Sequence, residues 1–347
     1  MQWDLFCRVI DNYGDIGVSW RLAADLAERG ERVRLWVDDV SVLAWMAPLG
    51  APGVEVSAWP AGETETAPGD VVIEAFGCEL PDPWLRAMKN AARPPLWINL
   101  EYLSAEAFVE RSHGLMSPQA SGPGAGLRKW FFYPGFGERT GGLIRELDVD
   151  KRQMTFSRKA WLAARGIGTR VGERVVSLFC YEAPALSLLI DKLTEYPTLL
   201  LATTGHAARQ TVALLGADLT RGALRATLVP ALTQLEYDHL LWSSDINFVR
   251  GEDSLVRAIW AGRPFVWQAY RQHDGVHLAK LAALLDRTDA SVEVRALWNA
   301  WNAPQPPVAL PWPDAATWLR ACREWQRTLL AQDDLTTRLV RFASQSR

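Results

Sequence analysis

The chain has 347 residues, of which 49% are hydrophobic and 22% charged, a balance typical of a globular protein and a length that favours two domains. A formal net charge of −3 argues against a general nucleic-acid binder, and no apolar run is long enough to span a bilayer. The N-terminus lacks a signal-peptide pattern, so we expect a cytoplasmic protein that binds neither nucleic acid nor membrane.

In the first half of the chain, short apolar segments alternate with amphipathic ones, a pattern typical of a parallel sheet covered by helices. A loop rich in small residues and a glycine-rich turn then lead to the end of this half. We predict strands at 3–10, 32–38, 71–76 and 95–100, a helix at 17–30, a loop at 117–126, an aromatic strand with its turn at 129–146, and a helix at 154–165.

The alternation restarts in the second half, which predicts a second α/β domain. We predict strands at 174–181, 198–204, 224–230, 246–250 and 264–270, a proline-rich break at 303–313, and helices at 315–330 and 334–343. The predicted domains are 1–166 and 167–330, with the last helix (331–347) completing the first. Two such Rossmann-like domains would face a cleft, and their ligands would bind beyond the carboxyl ends of the strands.

The four cysteines, Cys7, Cys78, Cys180 and Cys322, are widely spaced and form no C-x-x-C pair. Disulfide and zinc frameworks need paired spacing, so we predict reduced and mostly buried thiols.

The first candidate motif is Asp11-Asn12-Tyr13-Gly14-Asp15-Ile16-Gly17, which follows the first strand and opens the first helix. Its glycines permit a tight turn and close ligand approach, and the helix start offers free N–H groups. It is not a G-x-G-x-x-G dinucleotide fingerprint, which argues against a dinucleotide-dependent oxidoreductase. The motif places two carboxylates at the edge of the sheet. A purely structural interpretation, in which Asp15 caps the helix and Asp11 ends the strand, remains open.

The second motif is Arg250-Gly251-Glu252-Asp253-Ser254, which also joins a strand to a helix. Its functional interpretation is a nucleotide site, in which backbone N–H groups and Ser254 hold phosphate and a carboxylate holds a sugar hydroxyl. Acidic residues and serine are also ordinary in a first helical turn, so this pattern alone favours a structural role.

The third motif runs from Trp267 to His277. His273 and His277 are four residues apart, as helical metal ligands would be, but no third ligand cluster stands out, and we predict no metal site. Gln268 and Tyr270 lie at the carboxyl end of the predicted strand 264–270, and we expect them to line the ligand cleft.

Several long segments together go beyond a generic α/β pattern: CRVIDNYGDIGVSWRLA, WINLEYLSAE, KWFFYPGF and NFVRGEDSLVRAIWAGRPFVWQAY, followed by QHDGVH. Over almost its full length the chain resembles the elongation factor P arginine rhamnosyltransferases. The resemblance implies a GT-B glycosyltransferase fold and an inverting enzyme without cofactor or metal. Its implied donor is dTDP-β-L-rhamnose, and its implied protein partner is elongation factor P.

The same resemblance implies residue roles. Asp15 matches the general base, Asp11 an acceptor-side carboxylate, and Glu252 a third essential acid near the donor. The substrate-binding residues that match are Phe179, Tyr181, Asp253 and Ser254. From the motifs themselves, further candidate substrate-binding residues are Asn12, Tyr13, Gly14, Gly17, Arg250, Gly251, Gln268 and Tyr270.

One segment departs from the family. An F-x-P-Q pattern that contacts the thymine is replaced here by Leu228-Val229-Pro230-Ala231. Two alternatives therefore stay open, a GT-B enzyme for another nucleotide sugar or acceptor and a non-catalytic binding protein. Retention of Asp11, Asp15 and Glu252 together argues against the second.

Overall fold

A computed structural model describes residues 1–9, 13–60, 62, 66–271 and 275–346. The chain divides into two compact units. The first unit is Met1–Leu147 with Gln332–Arg347, and the second unit is Asp148–Ala331.

The first unit is built from parallel strands and helices that alternate along the chain. Its strands are β1 (Gln2–Cys7), β2 (Arg32–Val37), β3 (Val54–Ala58), β4 (Val71–Ala75), β5 (Leu96–Leu100), β6 (Met116–Pro118) and β7 (Arg128–Phe132). Its helices are α1 (Gly14–Glu28), α2 (Leu43–Met46), α3 (Asp82–Asn90) and α4 (Phe108–Ser112), joined at the end of the chain by α14 (Leu335–Gln345).

The strands of this unit form, within the described residues, a seven-stranded sheet in the order β3-β2-β1-β4-β5-β7-β6. All neighbours pair in parallel except β6 and β7. The central strands are almost continuously apolar because helices cover both faces of a parallel sheet. An aromatic cluster fills part of the core, in which the Phe6 ring lies 5.7 Å from that of Trp36 and 5.1 Å from that of Trp84.

The second unit repeats this plan. Its strands are β8 (Arg174–Leu178), β9 (Thr198–Thr203), β10 (Thr220–Arg221), β11 (Leu224–Val229), β12 (Ile246–Arg250) and β13 (Phe265–Gln268). Its helices are α5 (Val149–Thr155), α6 (Arg158–Ala163), α7 (Leu186–Leu193), α8 (His206–Leu215), α9 (Gln234–Ser243), α10 (Gly251–Ala261), α11 (Val276–Arg287), α12 (Val292–Trp301) and α13 (Ala315–Leu330). Within the described residues, the sheet order is β10-β11-β9-β8-β12-β13.

The boundary between the units lies after Leu147, earlier than the predicted boundary at 166. The reason is packing, because Trp161 and Leu162 belong to a core cluster with Val175 and Leu199 of the second unit. The helix predicted at 154–165 is two helices. The hydroxyl of Ser157 accepts a hydrogen bond from the Ala160 N–H at 3.3 Å and starts α6 anew.

The last helix belongs to the first unit, where charged groups attach it to α1. The guanidinium of Arg29 donates to Asp25 at 3.0 Å and to Asp334 at 2.9 Å. All three groups lie in largely buried positions, so this network fixes the end of the chain against the first helix.

All four cysteines are free, and Cys7, Cys78 and Cys180 are buried as predicted. Among the helices of the described residues, none has the length and apolar character that crossing a membrane requires.

Candidate active site

The strand order identifies where a ligand is expected in each unit. In the first unit the order reverses between β1 and β4, and in the second between β8 and β12. The loops that leave two such strands diverge to opposite faces of the sheet and open a crevice at their carboxyl ends. The first predicted motif follows β1 and the second begins at the last residue of β12, whereas the third begins within β13, the neighbour of β12.

In the first unit, Asp15 lies in the first turn of α1, which begins at Gly14 rather than at the predicted Gly17. Its side chain is only 3% exposed. A carboxylate is stabilised at this end of a helix because the N-terminal N–H groups carry partial positive charge. The buried acid therefore stands at the crevice of the first sheet.

The neighbouring motif residues shape this helix start. The Gly17 N–H donates to the Tyr13 carbonyl at 3.0 Å, which closes the first turn. The Tyr13 side chain is 42% exposed, and its ring meets that of Trp45 edge-on at 5.2 Å. The predicted residues Asp11 and Asn12 lie outside the described residues.

The electrostatics around Cys7 show which groups share this end of β1. Burial raises the pKa of Cys7, and the charges of Asp15 and Asp38 and the thiol of Cys78 raise it further. Asp15 and the segment after β4 therefore lie near the same strand end.

The segments after β4 and β5 carry an aromatic pair that was not predicted as part of the site. The rings of Phe76 and Tyr102 stack at 4.5 Å with an interplanar angle of 17°. Phe76 has a positive φ of 57°, a conformation that is unusual for a bulky residue. Tyr102 lies in the quoted WINLEYLSAE segment, but no sequence signal indicates that the two rings meet.

In the second unit, α10 begins at Gly251, and Arg250 is its N-cap residue. Gly251 has a φ of +69°, which favours glycine at this tight turn. Glu252 and Asp253 are partly exposed in the first turn, whereas Ser254 is buried. The Trp267 indole donates to the Gly251 carbonyl at 2.9 Å and holds the turn against β13. The predicted helix start is confirmed.

The guanidinium of Arg250 is the cation of this second crevice. It lies 4.5 Å from the ring centre of Phe179 and 4.1 Å from that of Tyr181, which both follow β8. Arg250 is only 8% exposed, and its Nε has no hydrogen-bond partner among the described residues. A buried donor of this kind suits an anionic ligand, because leaving it unpaired is costly.

Gln268 fixes the loop that carries Tyr181. The Tyr181 N–H donates to Gln268 Oε1 at 2.8 Å, and Gln268 Nε2 donates to the Glu182 carbonyl at 3.0 Å. From the other side, Gln210 Nε2 donates to the Tyr181 carbonyl at 3.0 Å. Both polar atoms of the Gln268 amide thus bind backbone, and they fix the loop that carries Tyr181.

Tyr270 completes the aromatic group, with its ring edge-on to Tyr181 at 5.4 Å and its side chain 55% exposed. His277 is buried in α11, and His273 lies outside the described residues. In the part of the chain that the structure describes, no group of three or more His, Cys, Asp or Glu side chains could hold a metal ion.

The geometry thus buries an acid, Asp15, at the crevice of the first unit and a cation, Arg250, at that of the second. Comparison with known proteins identifies the family. The model of the "Elongation-Factor P (EF-P) rhamnosyltransferase EarP" family matches residues 3–344. The chain belongs to the EarP family. The resemblance found in the sequence motifs is confirmed.

Similar proteins agree with this assignment over their whole length. A protein-arginine rhamnosyltransferase of Pseudomonas aeruginosa is 43% identical, with 98% of each chain covered. One of Shewanella oneidensis is 35% identical, with 99% of this chain and 98% of the relative covered. A solved structure described as the structural basis for EarP-mediated arginine glycosylation of translation elongation factor EF-P has a TM-score of 0.68 and 33% identity, covering 100% and 99%.

More distant solved structures bear on the fold alone. MurG of Acinetobacter baumannii is 11% identical with a TM-score of 0.52 over 99% of each chain. A UDP-glucosyltransferase of Polygonum tinctorium is 10% identical with a TM-score of 0.55 over 99% and 98%. The fold is therefore the predicted GT-B fold. That the chain is a glycosyltransferase, as predicted, follows from its family and its relatives.

Proposed function

We propose that this enzyme transfers rhamnose from dTDP-β-L-rhamnose to an arginine side chain of elongation factor P, with inversion and without a metal. The position of Asp15 carries the proposal. It is a buried carboxylate at a helix start, at the crevice of the first unit, and a cationic acceptor needs such a group. Membership in the EarP family supports the donor and the protein partner.

An arginine acceptor poses a difficulty that a carboxylate addresses. The guanidinium has a pKa above about 12, so its neutral form is scarce at pH 7. The acid is therefore expected to accept the proton as the bond forms, not beforehand. Two carboxylates, Asp15 and Asp11, would hold the planar cation through paired hydrogen bonds and orient one nitrogen toward the anomeric carbon.

The chemical step then balances as a single displacement. The guanidinium nitrogen attacks C1 of the rhamnosyl group, the C1–O bond to the diphosphate breaks, and Asp15 takes the proton that the nitrogen loses. Attack from the face opposite the leaving group inverts C1.

The second unit supplies the groups that would stabilise the leaving diphosphate. The negative charge of the diphosphate would be stabilised by the first turn of α10, by the buried hydroxyl of Ser254 and by the guanidinium of Arg250. Glu252, partly exposed in the same turn, would accept from a sugar hydroxyl.

The test is direct. The purified enzyme is incubated with elongation factor P and dTDP-β-L-rhamnose in the presence of EDTA, and the intact mass of the acceptor is measured. We expect the gain of one deoxyhexose, absent with Asp15→Asn. No gain with folded wild-type enzyme would overturn the proposal, and a gain only without EDTA would overturn metal independence.

A specific feature favours a second candidate, another nucleotide sugar as donor. Leu228, at the end of β11, is 40% exposed, and Ala231 beyond it is exposed as well. These residues replace the Phe and Gln expected to contact thymine. A panel of dTDP-, UDP- and GDP-sugars at equal concentration decides the question, because efficient transfer from a non-thymidine donor would favour the second candidate.

A further inference from the structure

We propose that the stacked pair Phe76 and Tyr102, with the carboxylate of Glu101, recognises the planar guanidinium of the acceptor and sets specificity for arginine over lysine. This inference rests on the proposed function. It concerns the first unit alone, and nothing in the sequence motifs assigns a role to the pair.

The pair lies at the crevice of the first sheet. Phe76 directly follows β4, one of the two strands between which the order reverses, and Tyr102 follows the adjacent strand β5. In the parallel register Ala75 lies opposite Leu100, so Phe76 and Glu101 leave the sheet side by side. Cys78, two residues after Phe76, lies near Cys7 at the end of β1, as Asp15 does. The rings and the proposed base therefore share one edge of one sheet.

The backbone at Phe76 is held in a disfavoured conformation. Its φ is +57°, although a bulky side chain rarely adopts this region. The Phe76 N–H donates to the Leu100 carbonyl at 2.7 Å, and the next N–H, of Gly77, donates to Asn99 Oδ1 at 3.2 Å. Strained backbone that neighbouring groups over-determine is concentrated at functional sites.

The same amide of Asn99 also orients the carboxylate. Asn99 Nδ2 donates to Glu101 Oε1 at 2.5 Å, so one buried side chain fixes both the turn after β4 and the acid after β5. The charge of Glu101 is felt by a further ring, since burial and this charge both raise the pKa of Tyr133. The carboxylate thus lies among aromatic side chains at the edge of the sheet.

Aromatic faces beside a carboxylate fit a guanidinium better than an ammonium. A guanidinium is flat and weakly hydrated, so it stacks on rings while its edge donates two hydrogen bonds to an acid. An ammonium is a compact, strongly hydrated charge that gains less from such a surface. The second unit shows the stacking part of this arrangement, where the guanidinium of Arg250 lies against the rings of Phe179 and Tyr181.

The experiment uses Phe76→Asn and Tyr102→Leu in the full-length enzyme. Asparagine tolerates positive φ, so the first variant removes the ring and keeps the turn. We expect the KM for the protein acceptor to rise about tenfold or more in each variant, with the KM for the donor and the thermal midpoint close to wild type. Tyr102→Phe retains the stacked ring and should restore a KM near the wild-type value.

Two control variants match these changes in the second unit. Leu219→Asn places the same residue at another positive φ, of 51°, and Tyr196→Leu removes a ring that is 60% exposed. Both are expected to leave the acceptor KM unchanged.

Specificity is measured with a second acceptor in which lysine replaces the modified arginine. Wild-type enzyme should discriminate strongly, and Phe76→Asn should lose more activity on arginine than on lysine. An unchanged acceptor KM, or a loss matched by a fallen thermal midpoint, overturns the recognition role. If wild-type enzyme modifies arginine, such a result removes only this inference; if it modifies neither acceptor, the proposed function itself fails.

Discussion

The two strand-to-helix junctions of this protein share a topology but differ in the charge of the side chain that they bury. After β1, the first turn of α1 carries a buried acid, Asp15, whereas after β12 the N-cap of α10 is a buried cation, Arg250. Both junctions stand at the point where their sheet's strand order reverses. The same backbone arrangement therefore carries a buried side chain of opposite sign in each unit, while Glu252 and Asp253 add acids to the first turn of α10.

The largest effect is expected from removing the acid of the first junction. Asp15→Asn keeps the size and packing of the side chain but removes the proton acceptor, so we expect kcat for arginine modification to fall by about 10²- to 10⁴-fold. Rates are measured by mass spectrometry at saturating donor and acceptor. Asp82→Asn, at an exposed acid in the first turn of α3, is the matched control and should be silent. Comparable losses in both variants would contradict a special role for Asp15.

The next prediction breaks the cationic junction. Arg250→Lys retains the charge but loses the planar group that stacks on Phe179 and Tyr181. We expect kcat/KM for the donor to fall by about 10- to 100-fold, and further in Arg250→Ala. Donor affinity is measured by calorimetry with dTDP. The exposed Arg327→Lys serves as control, and unchanged dTDP affinity in both Arg250 variants would exclude contact with the diphosphate.

A smaller effect is expected from the Gln268 clamp, the two hydrogen bonds between the Gln268 amide and the backbone of residues 181 and 182. Gln268→Leu removes both hydrogen bonds to the backbone of residues 181 and 182, so the ring loses its fixed position. The donor KM should rise about three- to tenfold while kcat at saturation changes little, because the clamp contributes about 1 kcal/mol per hydrogen bond. A fall in kcat with an unchanged donor KM would indicate that Gln268 acts in the chemical step.

The smallest predicted effect is a pH dependence of the stability of the first unit. Burial lowers the pKa of His113 to about 4, with the charge of Arg338 as the second cause, and its Nδ1 accepts the Tyr133 N–H at 3.1 Å. An unfolded histidine takes up its proton near pH 6.5. Between pH 6.5 and 4 the unfolded state therefore binds more protons, and stability falls as pH falls; above pH 6.5 it is unaffected.

Thermal unfolding of wild type and His113→Gln is compared across this range. Comparing the two proteins separates the effect of the histidine from that of Asp25. Burial raises the pKa of Asp25 to about 6, so protonation of Asp25 stabilises the folded state as pH falls and opposes the effect of the histidine. We expect stability to fall less steeply with falling pH in the variant than in wild type. Hydrogen exchange should show that the loss of stability in wild type lies in the first unit. Parallel curves for the two proteins would contradict the prediction.

Much of the fold was predictable because buried parallel strands are continuously apolar. The strands at 246–250 and 32–38 were predicted to within a residue. The strand β3 was missed because it is an edge strand whose side chains are mostly exposed, which weakens the apolar signal. The break between α5 and α6 was missed because Ser157 acts as a cap only in its folded context.

The family, the two α/β units and the two glycine-containing junctions are predictable from the amino-acid order, because they depend on local pattern along the chain. The contacts that the junctions make follow only from the folded arrangement. Arg250 lies against aromatic rings some 70 positions earlier in the chain, and Phe76 stacks on Tyr102 across two strands, since parallel pairing brings strand ends together over any sequence separation. The contact of Arg250 with two rings and the stacked aromatic pair at the edge of the first sheet are therefore properties of the fold.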